Sequence, residues 1–149
     1  MLTGFTLLRR LVALVVAALI LSQSIEAQSL NRGSSSKHTA GLHANGLVYN
    51  WGYGGYGQLG NDASSNSSTP VRVVNGAYSG AAYLGEDTDN KITMLGAGYH
   101  HSIGLAADGT VYTWGYGGWG ILGNGSTSSV DTPVKVVNGD YSGTTYLGD

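Results

Sequence analysis

The chain has 149 residues, a formal net charge of −2, no cysteine and 25 glycines. This length corresponds to about one domain. The charge gives no electrostatic support for a nucleic-acid or anionic-membrane partner, and the absence of cysteine excludes a disulfide framework. Because valine, leucine, tyrosine and tryptophan are regularly placed among the glycines, the composition favours short strands joined by tight turns over disorder.

Residues 1–27 have the pattern of a secretory signal peptide. Arg9 and Arg10 precede an unbroken apolar run at 11–21, and small or polar residues follow as far as Ala27. The alternative is an uncleaved membrane anchor, but eleven helical residues span only about half of a ~30 Å hydrocarbon core. We therefore expect a helical signal peptide, a secreted, cell-surface or periplasmic protein, and no membrane contact beyond this segment.

The sequence repeats itself after a short lead-in. Residues 38–86 align with residues 101–149 without a gap at an offset of 63 residues, and 30 of the 49 positions are identical. A repeat of this size is a supersecondary unit that buries its apolar face by stacking on copies of itself. We assign 28–37 as a disordered lead-in, 38–90 as a first repeat that lacks its opening strand, and 91–149 as a second repeat truncated at its end.

Each repeat is predicted to contain a β-hairpin. In the second copy two apolar runs flank the pair Asp108-Gly109, and the first copy has Asn45-Gly46 at the same place. Both pairs favour a two-residue type I′ turn, in which both central residues have positive φ.

Further short strands are predicted on both sides of the hairpins. Residues 91–98 form the opening strand of the second copy, and residues 29–35 show no equivalent pattern. The valine-rich segments 71–74 and 134–137 each follow a Thr-Pro pair, and proline suits the first residue of a strand or an edge. Since no segment after residue 27 has helical periodicity, the predicted fold class is all-β.

Three segments of the second copy carry a family resemblance, namely GYHHSIGL at 98–105, DGTVYTWG at 108–115 and GILG at 120–123. This pattern, with a proline before a valine-rich strand, resembles the repeat of the regulator of chromosome condensation family. The first copy agrees with it in spacing and residue type. The matched structural repeat positions are His38, Trp51, Gly52, Gly60, Pro70, His101, Asp108, Gly109, Trp114, Gly115, Gly123 and Pro133.

The resemblance implies a β-propeller of four-stranded blades, usually seven of them. Two blades form only an incomplete propeller, so the resemblance implies further repeats, in cis or in another chain, to close the ring. This chain departs from the family's shorter repeat through an insert at 75–89, which returns at 138–149. Insertions at the same place in each repeat lie on one face of the array, which is often the binding face.

The candidate binding residues are aromatic and lie in loops, where rigid exposed rings suit contact with a protein or a glycan. The loops at 52–57 and 115–120 match G-x-G-x-x-G, but no helix follows, so we predict glycine turns between blades and no phosphate site. The candidates are Tyr53, Tyr56, Tyr116 and Trp119 in these loops, and Tyr78, Tyr83, Tyr141 and Tyr146 in the inserts.

No set of residues indicates catalysis, a cofactor or a metal. His38 and His101 occupy equivalent positions, which favours one structural hydrogen bond per repeat. His100 points to the opposite face of the strand from His101, so the two do not share a metal easily. Residues 87–90 carry oxygen ligands for Ca²⁺ but lack the glycine and the distal glutamate of an EF-hand loop.

The sequence favours an exported, non-enzymatic propeller-repeat module that binds a protein or a glycan through its insert loops. The resemblance also implies guanine-nucleotide exchange or chromatin association, which the signal peptide and the net charge disfavour. A third hypothesis, a secreted inhibitor of an enzyme such as β-lactamase, rests on analogy of fold alone.

Overall fold

A computed structural model describes residues 29–31, 35–78, 80–140 and 145–148, so the predicted signal peptide lies outside the described residues. Within these ranges no helix has the length and apolar character needed to cross a bilayer. The elements are β1 (Ser29–Asn31), β2 (His38–Leu42), β3 (Val48–Gly52), β4 (Ser67–Arg72), β5 (Ile92–Ala97), β6 (His101–Ala106), β7 (Val111–Gly115), a 3₁₀ helix (Gly118–Gly120) and β8 (Val130–Lys135).

The strands form two antiparallel meanders, β1-β2-β3-β4 and β5-β6-β7-β8. The strand pairing in the second sheet matches that in the first at the offset of 63 residues. His38 pairs with Gly52 in the first sheet, and His101 pairs with Gly115 in the second. The predicted all-β fold of two four-stranded units is therefore confirmed.

The structure corrects one expectation at the start of the first repeat. Part of the lead-in forms β1, which pairs with β2 and places Leu30 opposite Gly41. The first sheet thus has the opening strand that its sequence does not reveal. The reason is that strand pairing uses backbone groups, so a polar segment without alternation still completes a sheet edge.

The last strand of each sheet is also displaced from its prediction. β4 and β8 begin four residues before the predicted strands, so Pro70 and Pro133 lie inside them. Both prolines occupy edge strands at the point where the register with the preceding strand shifts. Because this bulge interrupts the ladder, the N–H group that proline lacks is not required there.

The hairpins turn where predicted, but their type differs. Gly46 and Gly109 have φ of +94° and +95°, whereas Asn45 and Asp108 do not have positive φ. The Asp108 carboxylate instead accepts a hydrogen bond from the Thr110 N–H at 2.8 Å, and the Asn45 side chain does the same in the first sheet. Asn and Asp therefore act here as side-chain acceptors, and only the glycine supplies the left-handed conformation.

The core lies between the two sheets. Alternate residues of β2 face the second sheet, and alternate residues of β6, beginning at Ser102, face the first. Trp114 on β7 is fully buried at the centre. The core cluster consists of Ala40, Leu42, Val48, Val73, Tyr78, Leu84, Ile92, Leu95, Ala97, Ala106, Tyr112 and Trp114.

One backbone carbonyl joins the two sheets. The Gln58 carbonyl oxygen accepts hydrogen bonds from Asn50 Nδ2, Ser102 Oγ and Trp114 Nε1, each at 3.0 Å. The first donor belongs to the same sheet as Gln58, and the other two belong to the second sheet. His38 Nε2 lies 2.7 Å from Ser102 Oγ, and because that hydroxyl gives its proton to Gln58, His38 is the donor to Ser102.

Replacing Trp114 with phenylalanine should destabilise the protein by about 1–3 kcal/mol, because a buried carbonyl loses a donor and the smaller ring leaves a cavity. Trp51, the equivalent residue of the first repeat, is only half-buried. Trp51→Phe should therefore cost less than about 1 kcal/mol. Urea unfolding of both variants measures the difference, and equal losses would show that the Trp114 hydrogen bond and burial do not hold the sheets together.

Burial of His38 lowers its pKa from 6.5 to about 4, with smaller contributions from the charges of His101 and His100. The folded protein thus keeps this imidazole neutral where the unfolded chain protonates it. Above pH 6.5 His38 is neutral in both the folded and the unfolded chain, so it does not oppose folding. As the pH falls from 6.5 towards 4, protonation of His38 in the unfolded chain lowers the free energy of unfolding, by about 3 kcal/mol in total.

His38→Gln should flatten the fall in the free energy of unfolding between pH 6.5 and 4, since the group that titrates on unfolding is gone. Urea titrations across this pH range provide the measurement, and His43→Gln is the control, expected to keep the acid-dependent loss. An unchanged pH dependence in His38→Gln would assign the loss to other groups.

Candidate functional site

The two sets of predicted aromatic residues lie at opposite ends of the sheets. Because the strands are antiparallel, the hairpins at Asn45-Gly46 and Asp108-Gly109 and the insert at 75–89 share one end. The glycine-rich loops after β3 and β7 share the other end with the short connections that precede β2 and β6. The two ends therefore form separate surfaces.

The glycine-rich end carries an aromatic cluster with His100 at its centre. The His100 ring centroid lies 5.5 Å from that of Tyr53, 4.8 Å from Tyr56 and 4.3 Å from Tyr99. Tyr116 lies 5.1 Å from Tyr56 and extends the cluster to Trp119 at 5.9 Å. The aromatic cluster comprises Tyr53, Tyr56, Tyr99, His100, Tyr116 and Trp119.

Much of this aromatic surface faces solvent. Trp119 is 91% exposed, Tyr99 50% and Tyr56 39%. An open depression of about 320 Å³ runs between these rings and is also lined by His101 and Ile121. The cluster takes residues from both sheets, so it exists only when the sheets are packed together.

The loops that carry the rings are fixed by hydrogen bonds at equivalent positions. The Gly54 N–H donates to Asn66 Oδ1 at 3.0 Å, and the Gly117 N–H donates to Ser129 Oγ at 3.2 Å. Trp119 has φ of +62°, a left-handed conformation that is unfavourable for a bulky residue. An exposed indole held in this conformation gains little from burial, so side-chain packing does not account for the left-handed backbone at Trp119.

Lys37 and His100 are the two ionisable side chains that determine the charge of the aromatic cluster besides its tyrosines. Lys37 Nζ lies 5.0 Å from the Tyr99 ring centroid and 5.6 Å from that of Tyr53. Burial lowers the pKa of His100, and the charges of Lys37 and His101 lower it further. His100 Nδ1 is buried without a hydrogen-bond partner in the described chain. The surface thus offers apolar contact beside one positive charge.

Among the described residues, no group of three or more histidine, cysteine or carboxylate side chains is placed to hold a metal ion. The acidic loop at 87–90 instead makes internal hydrogen bonds, including Asp89 N–H to Asp87 Oδ1 at 2.9 Å. The Asn90 side chain donates to the Asp108 carboxylate at 2.6 Å. These side-chain oxygens therefore order the loop.

The insert tyrosines have other surroundings. Tyr78 is 2% exposed, and its hydroxyl donates to the Asn90 carbonyl at 2.5 Å, so the prediction of Tyr78 as a surface contact is wrong. The ring packs on Tyr112 of the second sheet, because the insert folds back to close the core. Tyr141 lies outside the described residues.

Tyr83 and Tyr146 are half-buried and make matching contacts in the two sheets. The Arg72 guanidinium lies 4.9 Å from the Tyr83 ring centroid, and Lys135 Nζ lies 5.1 Å from that of Tyr146. Both rings are therefore partly covered by a neighbouring cation on the last strand of their sheet.

Sequence reasoning missed Lys37, Tyr99 and His100 as members of the site. Lys37 and His100 are equivalent positions that carry different residues, and Tyr99 corresponds to Ser36. Comparison of the two copies therefore gave no signal for them. The strand order does indicate these residues. Lys37 directly precedes β2, and Tyr99 and His100 directly precede β6, so all three lie at the end of the sheets that carries the glycine-rich loops.

The sequence matches the model of the Regulator of chromosome condensation (RCC1) repeat over residues 45–105 and 108–141. Similar proteins include the rat probable E3 ubiquitin-protein ligase HERC4, 35% identical over 96 residues, which are 64% of this chain and 8% of the ligase. The Arabidopsis ultraviolet-B receptor UVR8 is 32% identical over 89 residues, or 60% of this chain and 18% of the receptor. The chain thus spans less than a fifth of these relatives.

Solved structures show the same fold. Human WBSCR16 matches with a TM-score of 0.60 and 23% identity, over 74% of this chain and 26% of that one. Yeast RCC1 (Prp20), solved with Kap60, matches with a TM-score of 0.58 and 21% identity, over 78% of this chain and 26% of that one. The chain belongs to the RCC1 repeat family, and its two sheets are two blades of a β-propeller.

Proposed function

We propose that this chain is an exported, non-enzymatic propeller-repeat module that binds a protein partner through the aromatic cluster. The observation that carries this proposal is the exposed rings of Trp119, Tyr99 and Tyr56 on hydrogen-bonded loops at one end of the packed sheets. Export rests on the signal-peptide pattern of residues 1–27.

Rigid exposed aromatic residues are suited to be the anchors of an interface. Tyrosine and tryptophan are enriched among the residues whose truncation most weakens protein complexes. Here the rings support one another edge to face, since Tyr56 makes angles of 61° with His100 and 68° with Tyr116. Binding therefore orders few side chains, which lowers its entropic cost.

The shape and charge of the cluster favour a protein segment over a glycan. Neighbouring rings are tilted at 51–75° to one another, so together they enclose a depression and do not form one flat platform. That depression fits an apolar side chain, and Lys37 is placed to attract a carboxylate next to it. One structural neighbour, yeast RCC1, was solved in complex with the protein Kap60, which supports the same class of partner.

Selection of a random-peptide display library on the immobilised full chain tests the proposal. We expect the enriched peptides to pair an apolar side chain with an acidic one, because they must fill the depression and face Lys37. Trp119→Ala should weaken their binding at least about tenfold, which is the loss typical of a central aromatic anchor. Lys37→Gln should reduce both the affinity and its dependence on salt.

Met94→Ala is the matched control, since Met94 is an exposed apolar side chain, 64% exposed, on a different surface of the molecule. This variant should bind the selected peptides as the native chain does. Peptides that bind Trp119→Ala and the native chain equally would refute the proposal. Binding of a glycan array that depends on Trp119, with no selected peptide, would assign the surface to sugars instead.

A further inference from the structure

We propose that Asn66 carries an N-linked glycan, attached just before the outer strand β4 and beside the aromatic cluster. Asn66-Ser67-Ser68 has the form Asn-x-Ser/Thr, the acceptor pattern of glycosylated surface segments in secreted proteins. This inference rests on the proposed export, because the glycan is transferred to chains that enter a secretory pathway. It does not depend on the protein partner of the cluster.

The side-chain amide of Asn66 is held by its oxygen and free at its nitrogen. Oδ1 accepts a hydrogen bond from the Gly54 N–H at 3.0 Å, which orients the amide. Nδ2 has no hydrogen-bond partner among the described residues. Because oxygen and nitrogen lie on different sides of Cγ, Nδ2 is directed away from the Gly54 N–H. A glycan on Nδ2 therefore replaces a hydrogen that no described group accepts, and the bond to Gly54 stays intact.

The hydroxyl that completes the acceptor pattern is also free. Ser67 Oγ donates to the Thr69 carbonyl at 2.6 Å, whereas the Ser68 hydroxyl makes no hydrogen bond within the part of the chain that the structure describes. Ser68 is exposed. Both groups that the transferase must recognise, the Asn66 amide nitrogen and the Ser68 hydroxyl, are therefore available on the surface.

The surroundings of Asn66 leave room for a bulky substituent. Residues 64–66 and 68–70 are exposed. Asn66 directly precedes β4, which is the edge strand of its sheet and has no further strand on its outer side. A glycan attached there extends into solvent without displacing a strand.

The second sheet shows that this position stays open when another blade packs on the same face. Ser129 is the equivalent of Asn66 at the offset of 63 residues. The first blade packs on the second at Ser102 and Trp114, yet Ser129 is exposed. The exposure of Asn66 is therefore a property of its place in the blade.

The fold does not require an asparagine at this position. Ser129 Oγ accepts the hydrogen bond of the Gly117 N–H at 3.2 Å, as Asn66 Oδ1 accepts that of the Gly54 N–H. A hydroxyl therefore suffices to hold the glycine-rich loop. The group that Asn66 adds is the amide nitrogen, which is the atom that receives the sugar.

The reaction joins Nδ2 of Asn66 to the anomeric carbon of an oligosaccharide that is carried on a lipid pyrophosphate. The bond from Nδ2 to the anomeric carbon forms, the bond from that carbon to the pyrophosphate oxygen breaks, and Nδ2 loses one proton. The lipid pyrophosphate is the leaving group. No oxidant or reductant is needed.

Residues 124–126 have the same acceptor pattern but a different place in the blade. Gly125 is the equivalent of Asp62, whose N–H donates to the Asp131 carbonyl across the two sheets at 3.2 Å. A substituent at this place lies at the joint between blades. The inference therefore concerns Asn66.

Expression of the full chain, with its own N-terminal segment, in cultured mammalian cells tests the inference. Peptide-N-glycosidase F converts a glycosylated asparagine to aspartate, and peptide mapping by mass spectrometry reads this change at each site separately. We expect most secreted molecules to carry the change at residue 66. Secreted protein with an unmodified Asn66 would overturn the proposal.

Substitutions in the acceptor pattern provide matched controls. Asn66→Ser and Ser68→Ala should each abolish the glycan at this site, and Asn66→Ser should keep the fold because Ser129 has the same role in the second sheet. Ser67→Ala should retain the glycan, since the middle residue of the pattern is variable. A glycan at Asn66 that persists in Ser68→Ala would contradict the assignment.

A second form of the chain separates this inference from the proposed function. In it, residues 1–27 are replaced by a leader that directs export. An unmodified Asn66 in this secreted form overturns the inference, whatever the native segment does. If only the replaced form is secreted and it carries the glycan, the native segment fails as a signal while the acceptor site is confirmed. Trp119→Ala should keep the glycan, because the aromatic cluster is not the acceptor.

Discussion

The packing of the two blades depends on one buried acceptor, the backbone carbonyl of Gln58. It receives donors from both sheets, and a buried carbonyl that loses its donors costs about 1–3 kcal/mol. Gln58 also fixes one loop of the aromatic cluster, because its side-chain Oε1 accepts a hydrogen bond from the Tyr56 N–H at 2.9 Å. The residue that aligns Trp114 and Ser102 therefore also positions a ring of the aromatic cluster, which couples the core to the surface.

The aromatic cluster is a property of the pair of blades. Tyr53, Tyr56 and Lys37 belong to the first sheet, whereas Tyr99, His100 and the loop at 115–120 belong to the second. His100 contacts rings from both sheets, so a displacement of one blade relative to the other would open the cluster. The aromatic cluster therefore forms only when the two blades are folded and packed together, as expected of a surface that spans neighbouring repeats.

The sequence alone determined the repeat, the all-β fold, the family and the location of both hairpins, since these follow from local spacing and turn chemistry. It also indicated the loop aromatics, among them Trp119. It did not reveal β1, whose pairing uses backbone groups without a side-chain pattern. Nor did it show that Tyr78 is core while Tyr99 and His100 belong to the surface cluster. Only the packing of one sheet on the other decides these roles, because burial and ring contact depend on residues that are distant in the chain.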